Sequence, residues 1–174
     1  MSLIEAMQKR RSIRKYTDEK IDDAVIENIL RAGMLAESGK AIRPWEFIVV
    51  RDRGMLDKMA KCRVGAAKML EGADCAILVI ADPAATDVWI EDCSVVMANM
   101  HLLADSSGIG SCWIQARMRT AENGETTEDY LRSLLGFPEG MKAEAMLSLG
   151  MPAVHPAPYA LDKLPLEKVH REKY

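Results

Sequence analysis

Seven residues in succession, Cys75-Ala-Ile-Leu-Val-Ile-Ala81, carry no polar side chain. A strand sends alternate side chains to opposite faces, so one that is apolar at every position needs cover on both sides. This stretch is read as a central strand, and the rest of the chain has to supply its two coverings.

The flanking sequence offers the material. Asp18 to Asp22 carries N-cap chemistry for a helix whose apolar face is Val25, Ile26, Ile29, Leu30 and Met34, with a stop expected near Ser38-Gly39. Trp45-Glu-Phe-Ile-Val-Val50 reads as a strand, because aromatic and β-branched residues suit a pleated surface, and Ser111 to Gln115 and Ala143 to Met151 are read as two more. Charged segments from Met55 to Cys62 and from Ala66 to Glu71 read as short helices, and Thr127 to Leu135 as another that stops at Gly136. Asp87 to Ser106 reads as one long helix, apolar around its circumference and therefore expected to be buried all round. Strands alternating with helices place the chain in the α/β or α+β classes.

At 174 residues this is one domain with room for a core that needs no staples. Cys62, Cys75, Cys93 and Cys112 form no CxxC pair and stand at no metal-ligand spacing from a histidine, so four reduced thiols and a cytoplasmic protein are expected. A net charge of −3 gives no overall field for nucleic acid or an anionic membrane, and any anion site must be local. The opening residues lack signal-peptide order, and the apolar run Cys93 to Ala104 is too short to span a bilayer. From Pro152 onward, prolines and charges preclude an independent packed unit, so residues 152–174 are expected as an arm on a body of 1–151.

The densest chemical signal is Lys9-Arg10-Arg11-Ser12-Ile13-Arg14-Lys15 at the exit of the first helix. Arginine forks and a serine hydroxyl converging on one turn can replace the hydration of a phosphate; equally, cations at a helix C-terminus are favourable without any ligand. Gly108-Ile-Gly110 lacks the third glycine and the strand–turn–helix setting of a dinucleotide loop and reads as a helix stop. His101, in the most apolar helix, reads as a hydrogen-bonded core or interface histidine before a catalytic base. No nucleophile elbow gathers a hydrolase triad, and the twelve methionines fall at core spacing.

Four stretches in order resemble the FMN-dependent nitroreductase family: Lys9 to Tyr16; Ser38 with Pro44-Trp45-Glu-Phe-Ile-Val-Val50; Gly108-Ile-Gly-Ser-Cys-Trp-Ile114; and Leu149-Gly-Met-Pro152 with Leu164 to His170. The resemblance implies an α+β, three-layer α/β/α sandwich with a central mixed sheet. It also implies a homodimer with exchanged C-terminal arms and FMN at the subunit seam. By the same resemblance Arg10, Arg11 and Ser12, with Lys163 from the arm, would hold the FMN phosphate and ribityl chain. Arg14 and Lys68 would face the pyrimidine edge, Ser38, Gly39 and Arg43 would pass near the ring, and the backbone of Trp113, Ile114 and Gln115 would lie at its reactive side. Where the family carries two amides in the loop before Pro-Trp, this chain has Ala41 and Arg43.

The implied activity is hydride transfer from NADH or NADPH to FMN and then to a nitroaromatic, quinone or similar small electrophile, with no catalytic side chain, no metal, no nucleic acid and no membrane. Storage, delivery or sensing of FMN without turnover, or reductive dehalogenation and flavin-modifying chemistry, are the alternatives on the same fold. Only Asp82 to Thr86 separates the central strand from the long helix, which leaves no space for an intrachain helical lid.

Overall fold

The computed structural model describes residues 2–174. Helices α1 (Leu3–Lys9), α2 (Asp23–Met34), α3 (Arg53–Met59), α4 (Trp89–Ser106) and α5 (Thr127–Leu135) surround strands β1 (Trp45–Val50), β2 (Cys75–Ala81), β3 (Gly110–Gln115) and β4 (Lys142–Gly150). The strands lie in the order β1-β2-β4-β3, so the all-apolar β2 is internal and every one of its residues is buried.

Alternation along β2 divides the core in two. Cys75, Ile77, Val79 and Ala81 face α2 and α4, whereas Ala76, Leu78 and Ile80 face α3, α5 and the turn Lys68–Glu71. Ile77 and Leu78 are wholly buried, each contributing about 1.5–3 kcal/mol by area. Two helical layers thus enclose one sheet, as the α+β expectation requires. The mixed character of that sheet shrinks to a single parallel bridge, Ser12 with Ser111, because all three strand pairings are antiparallel.

Two other expectations shift. Helix α2 stops at Met34 rather than near Gly39: its C-cap Leu35 leaves helical geometry and Ala36 N–H closes back on the Gly33 carbonyl. Helix α4 is not buried all round. Asp92, Cys93, Val96, Met97, Met100, His101 and Ala104 are buried, while Glu91 and Ala98 are exposed and Val95 and Leu102 half-exposed, so one stripe of an apolar helix stays open in the single chain.

Local chemistry explains the remaining boundaries. Ser2 and Glu5 form a reciprocal capping box at α1, Asp22, Asp52 and Thr126 cap α2, α3 and α5, and α5 ends on Gly136 at φ 75°. The β2–β4 register skips at Glu144, which is the extra residue of a β-bulge between Ala143, paired with Ile80, and Ala145, paired with Val79. The connection 82–88 from β2 to α4 contains turns and no helix. Residues 153–174 are exposed; Ala153 N–H donates to the Lys15 carbonyl (3.0 Å), His155 Nε2 meets Asp105 Oδ1 of α4 (2.8 Å), and at α1 Tyr159 N–H donates to the Gln8 carbonyl (3.0 Å) while Gln8 Nε2 donates to the Tyr159 carbonyl (2.6 Å).

Candidate functional site

After α1 the chain becomes extended and runs along the outer edge of β3, where Ile13 N–H donates to the Ser111 carbonyl at 2.8 Å. An extended segment points alternate residues in opposite directions. Arg10, Ser12 and Arg14 therefore share one side: Arg10 Nη1 donates to His101 Nε2 at 2.7 Å, and Ser12 and Arg14 lie beside the Cys112 thiol. Arg11 goes the other way, with its guanidinium 4.4 Å from the Tyr159 ring centroid and donating to the Ala157 carbonyl, while its backbone N–H donates to Asp105 Oδ1 at 3.2 Å. The sequence reading grouped Arg11 with Arg10; the pleat separates them.

Strand β3 is the sheet's edge beyond β4, and the Ile13 bond shows that Ser111 presents its backbone to the open side. By alternation, Trp113 and Gln115 also turn N–H and C=O outward, whereas the Ile114 side chain is buried among α5 and β4 residues. The Ile114 N–H and C=O turn inward to β4 by the same alternation, so Ile114 offers a ligand neither its side chain nor its backbone hydrogen-bonding groups. Trp113 Nε1 donates to Gln115 Oε1 (2.9 Å), Gln115 Nε2 donates to Glu144 Oε1 (2.9 Å), and Arg117 Nε donates to Glu144 Oε2 (3.1 Å). The bulge explains why a buried carboxylate ends at this cluster. It floors an open cleft of about 470 Å³ bordered by Ile90, Ser94, Trp113 and Arg117.

The loop Ser38–Arg43 stands elsewhere. Gly39 N–H donates to Asp92 Oδ1 (2.9 Å) near the start of α4, and Ser38 Oγ accepts from Arg43 N–H (3.0 Å). Lys40, Ala41 and Arg43 take left-handed backbone (φ 54°, 57° and 54°), and Asp92 Oδ2 is buried without a partner. From Asp92 to His101 is nine residues, about two and a half turns, so the loop and the basic turn border opposite sides of α4, with the uncovered stripe between them. One chain does not bring these two groups together. Lys68 is exposed in its 3-10 turn and Lys163 in the turn Leu161–Lys163 of the arm; among the described residues neither has an ion pair or hydrogen bond to the basic turn.

Asp92, Asp105, Ser111 and Glu144 escaped the sequence reading. The one available signal was His101 and Asp105 at i,i+4 on one helix; the other three depend on pairings far apart in the chain. Burial, with the Arg10 cation beside it, pushes the His101 imidazole down to about 4. Burial also pushes the thiols of Cys62, Cys75 and Cys93 up to about 12, so they are inert packing groups. Among the described residues no cluster of histidine, cysteine and carboxylate could hold a metal ion, and no helix is long and apolar enough to cross a membrane.

The profile of the Nitroreductase family matches residues 7–62 and 53–151. A relative from Archaeoglobus fulgidus, named "Putative NADH dehydrogenase/NAD(P)H nitroreductase", is 43% identical over 170 residues, 95% of this chain and 94% of its own. The solved FMN-dependent nitroreductase of Clostridium difficile R20291 superposes with a TM-score of 0.94 at 39% identity, covering 98% of this chain and 99% of that one. A "putative nitroreductase" from Desulfovibrio desulfuricans, solved in complex with FMN, gives 0.80 at 27% identity over 100% and 98% of the two chains. The basic turn, the open strand edge and the loop before Trp45 all fall within the matched residues, and the chain belongs to the nitroreductase family.

Proposed function

We propose that this chain is an NAD(P)H-dependent FMN oxidoreductase that reduces a nitroaromatic, quinone or similar electrophile in two half-reactions, working as a homodimer. The observation that carries the proposal is the outer edge of β3: Arg10, Ser12 and Arg14 gather at its start, and outward-facing backbone continues to Gln115. Four residues of strand, about 13 Å, separate the two ends. An extended flavin mononucleotide, anionic at one end and hydrogen-bonding at the other, matches that polarity.

When bound, FMN would supply the hydride-accepting and hydride-donating chemistry. The protein's part is binding and orientation. Arg10 and Ser12 would hold the phosphate by charge-assisted hydrogen bonds, Arg14 would offset negative charge on the ring, and the outward N–H groups of Trp113 and Gln115 would orient its edge. Lys163 would join the phosphate ligands from the arm. The cleft beside Trp113 and Gln115 would receive nicotinamide and acceptor in turn.

Two copies are needed for a complete site on this reading, because Ser38, Gly39 and Arg43 border the far side of α4 from Arg10. The bare stripe of α4 through Val95, Ala98 and Leu102 supports such a seam, as do exposed Leu3, Ile4 and Met7 on α1. The arm's Leu161, Leu164, Leu166 and Val169 are exposed too, and the groove beside β1 is formed by Leu30, Met34, Trp45, Phe47 and Val49 with Glu46 as its one charged residue. The arm 152–174, beyond the contacts that Ala153 to Tyr159 make with their own chain, is proposed to pack on the partner there.

The test is the absorption spectrum of the purified protein before and after anaerobic NADH or NADPH. A flavin spectrum that bleaches, and returns on adding a quinone or nitroaromatic, is expected. Protein that takes up no FMN refutes the proposal. Bound FMN that neither nucleotide bleaches would make the chain a flavin-binding module instead.

A further inference from the structure

The basic turn is tied to the body by Arg10 on His101, Ile13 on Ser111 and Arg11 on Asp105, and Ser111 joins the first two. His101 is 6% exposed, and both its ring nitrogens are engaged, Nε2 with Arg10 Nη1 at 2.7 Å and Nδ1 with Ser111 Oγ at 2.5 Å. A guanidinium has donors only, so Nε2 must carry the lone pair and the ring proton must sit on Nδ1, donated to Ser111. Ser111 also takes the Ile13 N–H on its carbonyl. The same strand residue therefore fixes the backbone of the turn directly and its arginine through the imidazole. Asp105, one helical turn further along α4, receives the Arg11 N–H and completes the anchorage.

This arrangement leaves His101 unfit for proton transfer, since neither nitrogen is free. What it does is take one N–H of Arg10 out of play and set the direction of the others. Among the described residues the Arg10 guanidinium makes no other hydrogen bond, so its remaining N–H groups stand available on the side shared with Ser12 and Arg14.

We infer that His101 is a positioning residue for phosphate binding: its neutral ring, locked by Ser111, aims the Arg10 guanidinium at the turn that receives the flavin phosphate. The inference rests on the proposed flavin reading and on Arg10 as a phosphate ligand. It goes beyond that reading by assigning the specificity for FMN over unphosphorylated flavin to a residue that touches no ligand.

The experiment measures the affinities of the full-length apoprotein for FMN and for riboflavin by quenching of flavin fluorescence. The ratio isolates the phosphate, and a general loss of fold lowers both affinities together. His101→Leu and Arg10→Ala should each lower the FMN-over-riboflavin preference by about tenfold, the scale of one charge-assisted hydrogen bond, and the double variant should go little further. His101→Gln, which can accept from Arg10 and donate to Ser111 without titrating, should keep the preference within about threefold. If leucine is not accommodated, Ser111→Ala tests the same relay, with a fall of about threefold expected because the ring Nδ1–H loses its acceptor and the imidazole its fixed orientation. A preference unchanged in His101→Leu, or in Ser111→Ala where leucine fails to fold, while Arg10→Ala loses it, overturns the role of His101 alone. An unchanged preference in Arg10→Ala overturns Arg10 as a phosphate ligand, and the inference with it.

Discussion

Acid should weaken this protein through one buried ring. Burial, and then the Arg10 cation, hold the folded-state pKa of His101 at about 4, against an ordinary value of 6.5; Asp105 pulls weakly the other way, and Ser111 from β3 keeps the neutral tautomer in place. The unfolded chain then binds the proton more readily than the folded one, so stability falls as pH drops below about 6.5 and levels off below about 4. Between pH 7 and pH 5 this single group removes about 2 kcal/mol, rising to about 3 kcal/mol at full protonation. The assay is equilibrium urea unfolding at fixed protein concentration, wild type against His101→Gln, at both pH values. The variant should lose about 2 kcal/mol less than wild type over that interval. Equal losses in the two proteins would show that the imidazole is not held neutral by its surroundings, and the argument from burial would fail.

Two further outcomes follow from particular contacts. A Cβ at Gly150 would lie 2.6–2.8 Å from Tyr16 ring and Cβ atoms, and the Tyr16 hydroxyl is itself tied to the Ile13 carbonyl and Ser148; Gly150→Ala should therefore cost about 2–3 kcal/mol and lower Tm by roughly 5–10 °C, and an unchanged Tm in a thermal melt would contradict the packing. The hydrogen bond to Asp105 raises the pKa of His155, so its protonated form clips the arm at low pH and the clip weakens as pH rises through that raised value; limited proteolysis of the arm should be slower at about pH 6 than at about pH 8.5 in wild type, and His155→Ala should erase the difference.

Elements whose cause is local were legible. The unbroken apolar run of β2 could only be internal, and Thr127–Leu135 carries its own start in Thr126 and its own stop in Gly136. The basic turn was visible because its charge is written in consecutive residues. Its internal division was not: that Arg10 joins Ser12 while Arg11 joins Tyr159 follows from an extended backbone where a compact turn was expected. Asp92 meeting Gly39, and Glu144 meeting Gln115, join residues separated by 53 and 29 positions. Such pairings are set by strand order and by a one-residue bulge, neither of which leaves a periodic trace. The bare stripe of α4 was hidden for the opposite reason: composition shows how apolar a helix is, and only packing shows which of its faces the chain covers.

The half-circle of α4 that separates Gly39 from Arg10 has a genetic consequence under the proposed assembly. Each polypeptide would own the front of one site and the back of another. A chain crippled in the basic turn and a chain crippled in the loop would both be dead as pure species, yet mixing them would yield hybrids with one sound centre and one doubly broken. Recovery of activity on co-expression, where each parent has none, is what such reciprocal ownership demands.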